Sequence, residues 1–251
     1  MSQAWLLGQR AIREAWRTPD ALIPTLFIPL FFLVVNVGQA ARIFPGKTTE
    51  FLYGQGYGAF QVPASLLLAS SFGMAALFLV EEIEGGYFDK LRAAPIPRTA
   101  IVVGRLIAEG TKGLFIAAAI VVLAMIFGVE IASGVLGFVL LVVLTAGWAV
   151  VFAGLMQLIA LKTRSAAATN SGSLIFFPLL FLTPNFVPRD LLTRPMEIAA
   201  TLNPVTYVME ALRSLILQDF VWGDILPGFL VVAVTGAIAL ALNVRMINHY
   251  D

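Results

Sequence analysis

Six stretches of this chain are apolar enough and long enough to cross a membrane, and its charges crowd into the gaps between them. A span needs roughly 20 mostly apolar residues to cross about 30 Å of hydrocarbon. The stretches cover residues 21–41, 61–80, 113–129, 131–161, 172–187 and 225–245. The third reads back toward Ile101 as an amphipathic extension, and the fourth is long enough to tilt or to project from the bilayer. Only 12% of the residues are charged, about half the usual share of a soluble domain. The fold class is therefore an all-α integral membrane protein.

Other classes are excluded by what is missing. No basic stripe is present, so nucleic acid is not a partner. There is no cysteine, hence no disulfide framework and no thiolate metal site. The single histidine, His249, reads as a solvated tail residue. No serine elbow, His-Glu-x-x-His pattern or paired His/Cys ligands appear, so no catalytic, cofactor or metal residues are assigned. Residues 41–48 fit a relaxed phosphate-loop pattern. Pro45 removes an amide beside Gly46, however, and a membrane span stands where a strand would be needed. No span centre carries a charge, which counts against an ion-coupled transporter. A membrane enzyme or scaffold is a further alternative that nothing in the motifs favours.

Lys and Arg set the orientation. With the N-terminus in the cytoplasm, the 16 basic residues divide into 11 inside and 5 outside (Arg42, Lys47, Arg189, Arg194 and Arg213). Both termini are expected to be cytoplasmic. Polar and charged residues run through Asp20, so the first span reads as retained rather than as a cleaved signal. Residues 1–20 form a candidate interfacial helix. Trp5, Ile12 and Trp16 share one narrow stripe, and Arg10, Arg13 and Arg17 fall on its neighbour. An aromatic stripe beside a basic one suits a helix at the headgroup level. Residues 21–251 form the six-span domain, with kinks expected at Pro24 and Pro29.

Two connecting segments carry the most information. In the loop 81–100, Ile83, Tyr87 and Leu91 recur every four residues, and Phe88 widens that face. Glu84, Asp89, Lys90 and Arg92 point elsewhere, and Pro95 and Pro97 stop the helix. An exposed aromatic pair among charges reads as a docking surface, or else as a cap on the span ends. Glycines at 85 and 86 weaken the first turn, so the helix is expected to start at Tyr87. In the segment 188–218, Asn203 is a good N-cap and Pro204 a good first helical residue. Val205, Val208, Met209, Leu212, Leu215 and Ile216 define one buried face. Glu210 and Arg213 lie three apart and are expected to pair.

These segments resemble the ATP-binding-cassette (ABC) exporter permeases of the second type. The acidic run Glu81, Glu82, Glu84, then Gly85, Tyr87, Phe88, Leu91, Arg92, Ala93 and Pro95 is similar to that family's cytoplasmic loop, with Gly86 where threonine is usual. The run from Leu202 through Asn203, Pro204 and Tyr207 to Arg213 is similar to its C-terminal signature. The resemblance implies six spans, an N-terminal interfacial helix, a coupling helix within 81–100 and short outer re-entrant helices within 188–218. It makes Glu81, Glu82, Ile83, Glu84, Gly85, Tyr87, Phe88, Leu91 and Arg92 the ATPase-coupling residues. Asn203, Pro204, Tyr207, Glu210 and Arg213 become the outer motif. It also implies a separate cytoplasmic ATPase subunit that uses ATP and Mg, and a second permease copy, identical or related.

The expected function is export of amphipathic drug-like or lipid-like molecules through a plasma-membrane complex. A polysaccharide or glycolipid exporter and an ion-coupled secondary transporter are the alternatives. Asn36, Gln61 and Gln157 are candidate path-lining residues inside the spans. Small residues at Gly147, Ala149, Ala153 and Gly154 permit close helix contact, within the chain or across a dimer.

Overall fold

The computed structural model describes residues 5, 8–10, 12–13, 19–71 and 75–249. Helices account for nearly all of it. In chain order they are α1 (Pro19–Ala40), α2 (Tyr57–Ser71), α3 (Ala75–Glu84), α4 (Tyr87–Ala93), α5 (Arg98–Ile126), α6 (Gly134–Thr163), α7 (Ala166–Ser173), α8 (Phe176–Phe181), α9 (Arg194–Leu202), α10 (Pro204–Leu217) and α11 (Trp222–Asn248). Short 3-10 turns at Glu50–Leu52 and Arg189–Leu191 sit in the connections.

Among the described residues, five helical stretches are long and apolar enough to span a membrane. They are 23–40 within α1, 57–84 across α2 and α3, and the whole of α5, α6 and α11. The fifth apolar stretch of the sequence differs from expectation. Its first residues end the short helix α7, a turn at Leu174 and Ile175 follows, and the short helix α8 stops at Phe181. Together they cover 166–181, a rise of about 24 Å even if continuous. The cause is local. Gly172 and its flanking serines weaken the helix, and Pro178 has no N–H for the turn before it.

The centre of the bundle is α2, whose residues are all buried except Gly58. It packs against α1, α5, α6 and α10, while α6 also runs along α5 and α11. The small residues of α6 make these contacts close. A Cβ on Gly154 would sit 3.2 Å from Ala239 of α11, and one on Gly113 of α5 would sit 3.1 Å from Ala149. The small-residue face thus serves helix packing inside the chain.

By contrast, α1 and α11 are covered on one side only. Ile23, Phe27, Phe31 and Val34 are exposed along α1, as are Leu226, Leu230, Val234 and Ile238 along α11. Both series keep nearly one helical turn between members, which is the pattern of a face turned to lipid or to another apolar helix.

Candidate functional site

One end of the bundle is built around the turn between α3 and α4. Gly86 adopts φ +70°, a conformation cheap for glycine, and this starts α4 at Tyr87. Pro95 and Pro97 then separate α4 from α5. Glu82 lies between two cations: Oε1 accepts from Arg10 Nη2 at 3.1 Å, and Oε2 accepts from Arg105 on α5. The Arg10 guanidinium also lies over the Tyr87 ring, 4.3 Å from its centroid. Glu109 and Lys112 form a second, nearly buried pair on α5 at 2.8 Å. The last turn of α11 reaches this end as well, since Arg98 Nη1 donates to the Asn248 carbonyl at 3.1 Å.

The aromatic pair of this loop is divided rather than jointly exposed. Phe88 is 1% exposed and belongs to the core, whereas Tyr87 is 37% exposed. Asp89 and Lys90 face outward, as do Glu81, Glu84 and Gly85, while Ile83 and Leu91 are half-buried against the core. The Arg92 side chain, Trp16 and Arg17 lie outside the described features. Of the N-terminal stripe, Trp5 is exposed, Ile12 half-buried and Arg13 exposed. Gly8 is buried, and a Cβ there would meet the Gly104 carbonyl at 3.2 Å, so this segment packs against α5.

Within the bundle, a polar chain joins three elements. Asn36 Nδ2 donates to Gln61 Oε1 at 3.3 Å. Gln61 Nε2 donates to Tyr57 Oη and to the Asn185 carbonyl, each at 2.9 Å. Tyr57 in turn donates to the Phe186 carbonyl at 2.9 Å. Asn36 and Asn185 edge a small cavity of about 40 Å³ whose walls include Phe32, Phe177 and Phe181. Gln157 is elsewhere, fully buried on α6, and neither of its amide atoms has a hydrogen-bond partner among the described residues.

The opposite end is organised by α10. The Asn203 side chain accepts from the Val205 N–H at 3.0 Å, and its Nδ2 donates to the Leu179 carbonyl at 2.6 Å. Pro204 follows as the first helical residue. Val205, Val208, Met209, Leu212, Leu215 and Ile216 are all fully buried, matching the face read from the sequence. Tyr207 Oη donates to the Thr201 carbonyl at 2.8 Å.

The expected Glu210–Arg213 pair is not formed. Glu210 is taken by Arg189, whose Nε and Nη2 donate to its two oxygens at 3.0 and 2.6 Å. Arg213 instead donates from Nη1 to the Pro184 carbonyl at 3.0 Å and stacks on the Phe60 ring, 3.5 Å from its centroid. Local spacing permits an i, i+3 pair, but Arg189 arrives from a separate turn with a two-pronged geometry that satisfies both oxygens. Burial pushes the Glu210 carboxyl above its ordinary value, and the cation of Arg189 opposes that shift. Burial likewise lowers Arg213, to about 9, so it stays charged at neutral pH.

Arg105, Arg189, Tyr57 and Asn185 escaped the sequence reading. Each acts through a partner at least 21 positions away, with no local spacing signal. Among the described residues no group of three or more His, Cys, Asp or Glu side chains could hold a metal ion. The arrangement is thus a helical bundle with a charged, anchored surface helix at one end and a capped pair of short helices at the other.

Comparison with known proteins agrees with that plan. The family model for the ABC-2 type transporter matches residues 2–217. Over 210 residues the chain is 27% identical to the daunorubicin resistance ABC transporter permease protein DrrB1 of Streptomyces coeruleorubidus, spanning 82% of this chain and 72% of that relative. The chain therefore belongs to the ABC-2 type transporter family, as a multi-span membrane permease subunit and not an enzyme.

Proposed function

We propose that this chain is the membrane half of an exporter of amphipathic drug-like or lipid-like molecules, driven by ATP hydrolysis on a separate cytoplasmic subunit. The observation that carries this reading is α4. It is a short helix held against the bundle by Phe88 and by the adjacent Arg10–Glu82–Arg105 cluster, with Tyr87, Asp89 and Lys90 turned outward. A helix so anchored passes a push directly into α3 and α5, the elements on either side of it. ATP-driven closure of the partner supplies the differential interaction that a change of state requires. Arg10 and Asn248 both contact the α4 end, in keeping with cytoplasmic termini there. The drug-like substrate class rests on the relative named for daunorubicin resistance. A second copy of the chain, placed against an exposed apolar face, completes the path.

Co-purification of the tagged chain with its candidate ATPase in mild detergent tests the reading. Tyr87→Ala/Lys90→Glu is expected to release the ATPase while the unfolding temperature holds, because both side chains are exposed. An ATPase retained by the double variant places docking elsewhere on the chain. A wild-type chain that binds no ATPase removes the exporter reading.

A further inference from the structure

An open cleft of about 790 Å³ lies at the end of the bundle away from α4. It reaches Asp224 in the first turn of α11, whereas Arg98 beside α4 meets the last turn of the same helix. Three features of its wall point to one kind of ligand.

The first is charge. Five carboxylates line the cleft against two guanidiniums. Glu210 and Glu197 are held by Arg189 and Arg194. Glu50, Asp190 and Asp224 are exposed and form no ion pair among the described residues. A concave wall of one sign concentrates the opposite charge.

The second is apolar surface. Phe51, Tyr53 and Leu191 line the same cleft, and Tyr53 is 58% exposed. An aromatic face beside carboxylates suits an organic cation.

The third is a set of unmade hydrogen bonds. Arg213 is 7% exposed and Ser214 1%, and both line the cleft. Arg213 Nε and Nη2 and the Ser214 hydroxyl have no hydrogen-bond partner among the described residues. Nε and Nη2 form one side of the guanidinium, two parallel donors suited to acceptor oxygens. Such donors are costly to leave unmet when buried. Arg213 and Ser214 both line the cleft, which puts a ligand oxygen there beside their side chains. A fully anionic ligand would match this fork but would face the surplus of carboxylates.

We propose that this cleft binds an aromatic amphipathic cation. Its positive group sits among Glu50, Asp190 and Asp224, its ring lies on Tyr53 and Phe51, and a ring or carbonyl oxygen is held by Arg213 and Ser214. The proposal deepens the exporter reading, on which it rests, by naming the chemical class that occupies the far side of the path.

The test is equilibrium binding to the purified full-length chain in mild detergent, without ATPase or ATP, read by fluorescence anisotropy. Rhodamine 6G, a cation with ring and ester oxygens, is expected to bind saturably, and fluorescein, an anion of related shape, more weakly. Asp190→Asn/Asp224→Asn is expected to weaken rhodamine 6G about tenfold, as loss of two partly screened charge contacts implies. Raised salt weakens it in the wild type. Arg213→Lys keeps the charge but loses the fork. It is expected to weaken rhodamine 6G while leaving ethidium, a cation without an acceptor oxygen, unchanged. Equal binding by the double variant, tighter binding of fluorescein, or an equal effect of Arg213→Lys on both cations overturns the proposal. Failure of the exporter reading shows separately, as a missing ATPase, and does not alter this equilibrium.

Discussion

The two ends of the bundle handle charge in opposite ways. At the α4 end, Glu82 is shared between Arg10 and Arg105, so a buried carboxylate and a buried guanidinium neutralise one another. What remains outward is a small set of side chains on an anchored helix. At the α10 end, Glu210 is consumed by Arg189, and Arg213 is left stacked on Phe60 with its Nε and Nη2 donors unmet among the described residues. The difference teaches how each end is suited to a different partner. Charges paired between helices leave a firm surface for a protein to press on, whereas unmet donors beside an open cleft leave room for a small ligand.

That contrast can be broken by substitution. Its largest expected consequence is at α4, where Phe88→Ala should cost about 3–4 kcal/mol through the cavity it leaves. Its neighbour Tyr87→Ala should stay within about 0.5 kcal/mol, as exposed positions do. Denaturant unfolding in mild detergent compares them, and equal effects would refute the divided aromatic pair. Next in size, Glu82→Ala should cost about 3 kcal/mol, because it strips the carboxylate from a nearly buried Arg105. An unfolding temperature unmoved by this change would mean that the α4 end does not depend on that pairing.

Smaller effects sharpen the view of the other end. Asn203→Ala should cost about 1 kcal/mol through loss of the N-cap, checked by the same unfolding measurement. Arg189→Ala should cost less than about 1 kcal/mol at neutral pH, since the pair is partly open to solvent. Its effect should also depend on pH. Burial already raises the folded Glu210 carboxyl above its ordinary value, and Arg189 holds that shift back. Without Arg189 the carboxyl rises further. A group raised in the folded state loses its contribution to stability as pH climbs through the folded value. The variant's deficit should therefore be greatest at neutral pH and shrink toward mildly acidic pH, and a deficit that grows on acidification would contradict the assigned cause.

How far the sequence could be read depended on the range of each interaction. The buried face of α10 and its Asn203 cap were legible, because helical periodicity and capping act within a few residues. The start of α4 after two glycines was legible for the same reason. The sequence left Phe88 open between a docking surface and a cap on the span ends, and the structure buries it. Periodicity carried a single helical face from Ile83 to Leu91, but the φ +70° at Gly86 breaks that continuity and rotates α4 so that Phe88 enters the core. Glu210 was misread for a related reason, since its partner lies on a separate turn. In the fifth apolar stretch, hydropathy concealed the break at Leu174 and Ile175, between Gly172 and Pro178.

By itself, then, the sequence determined that the chain is a bundle of membrane-crossing helices, roughly where they begin and end, and which short helix is capped by Asn203. Only the tertiary structure decided which apolar faces meet protein. The apolar stretches of α1 and of α2–α3 have mean hydropathies of 1.8 and 1.9, yet 11% of one is buried and 86% of the other. Lipid tails are as apolar as leucine side chains, so hydropathy assigns a helix to the membrane without saying what surrounds it there. Close contacts of small residues and a few hydrogen bonds between distant positions make that choice, and they exist only once the helices have packed.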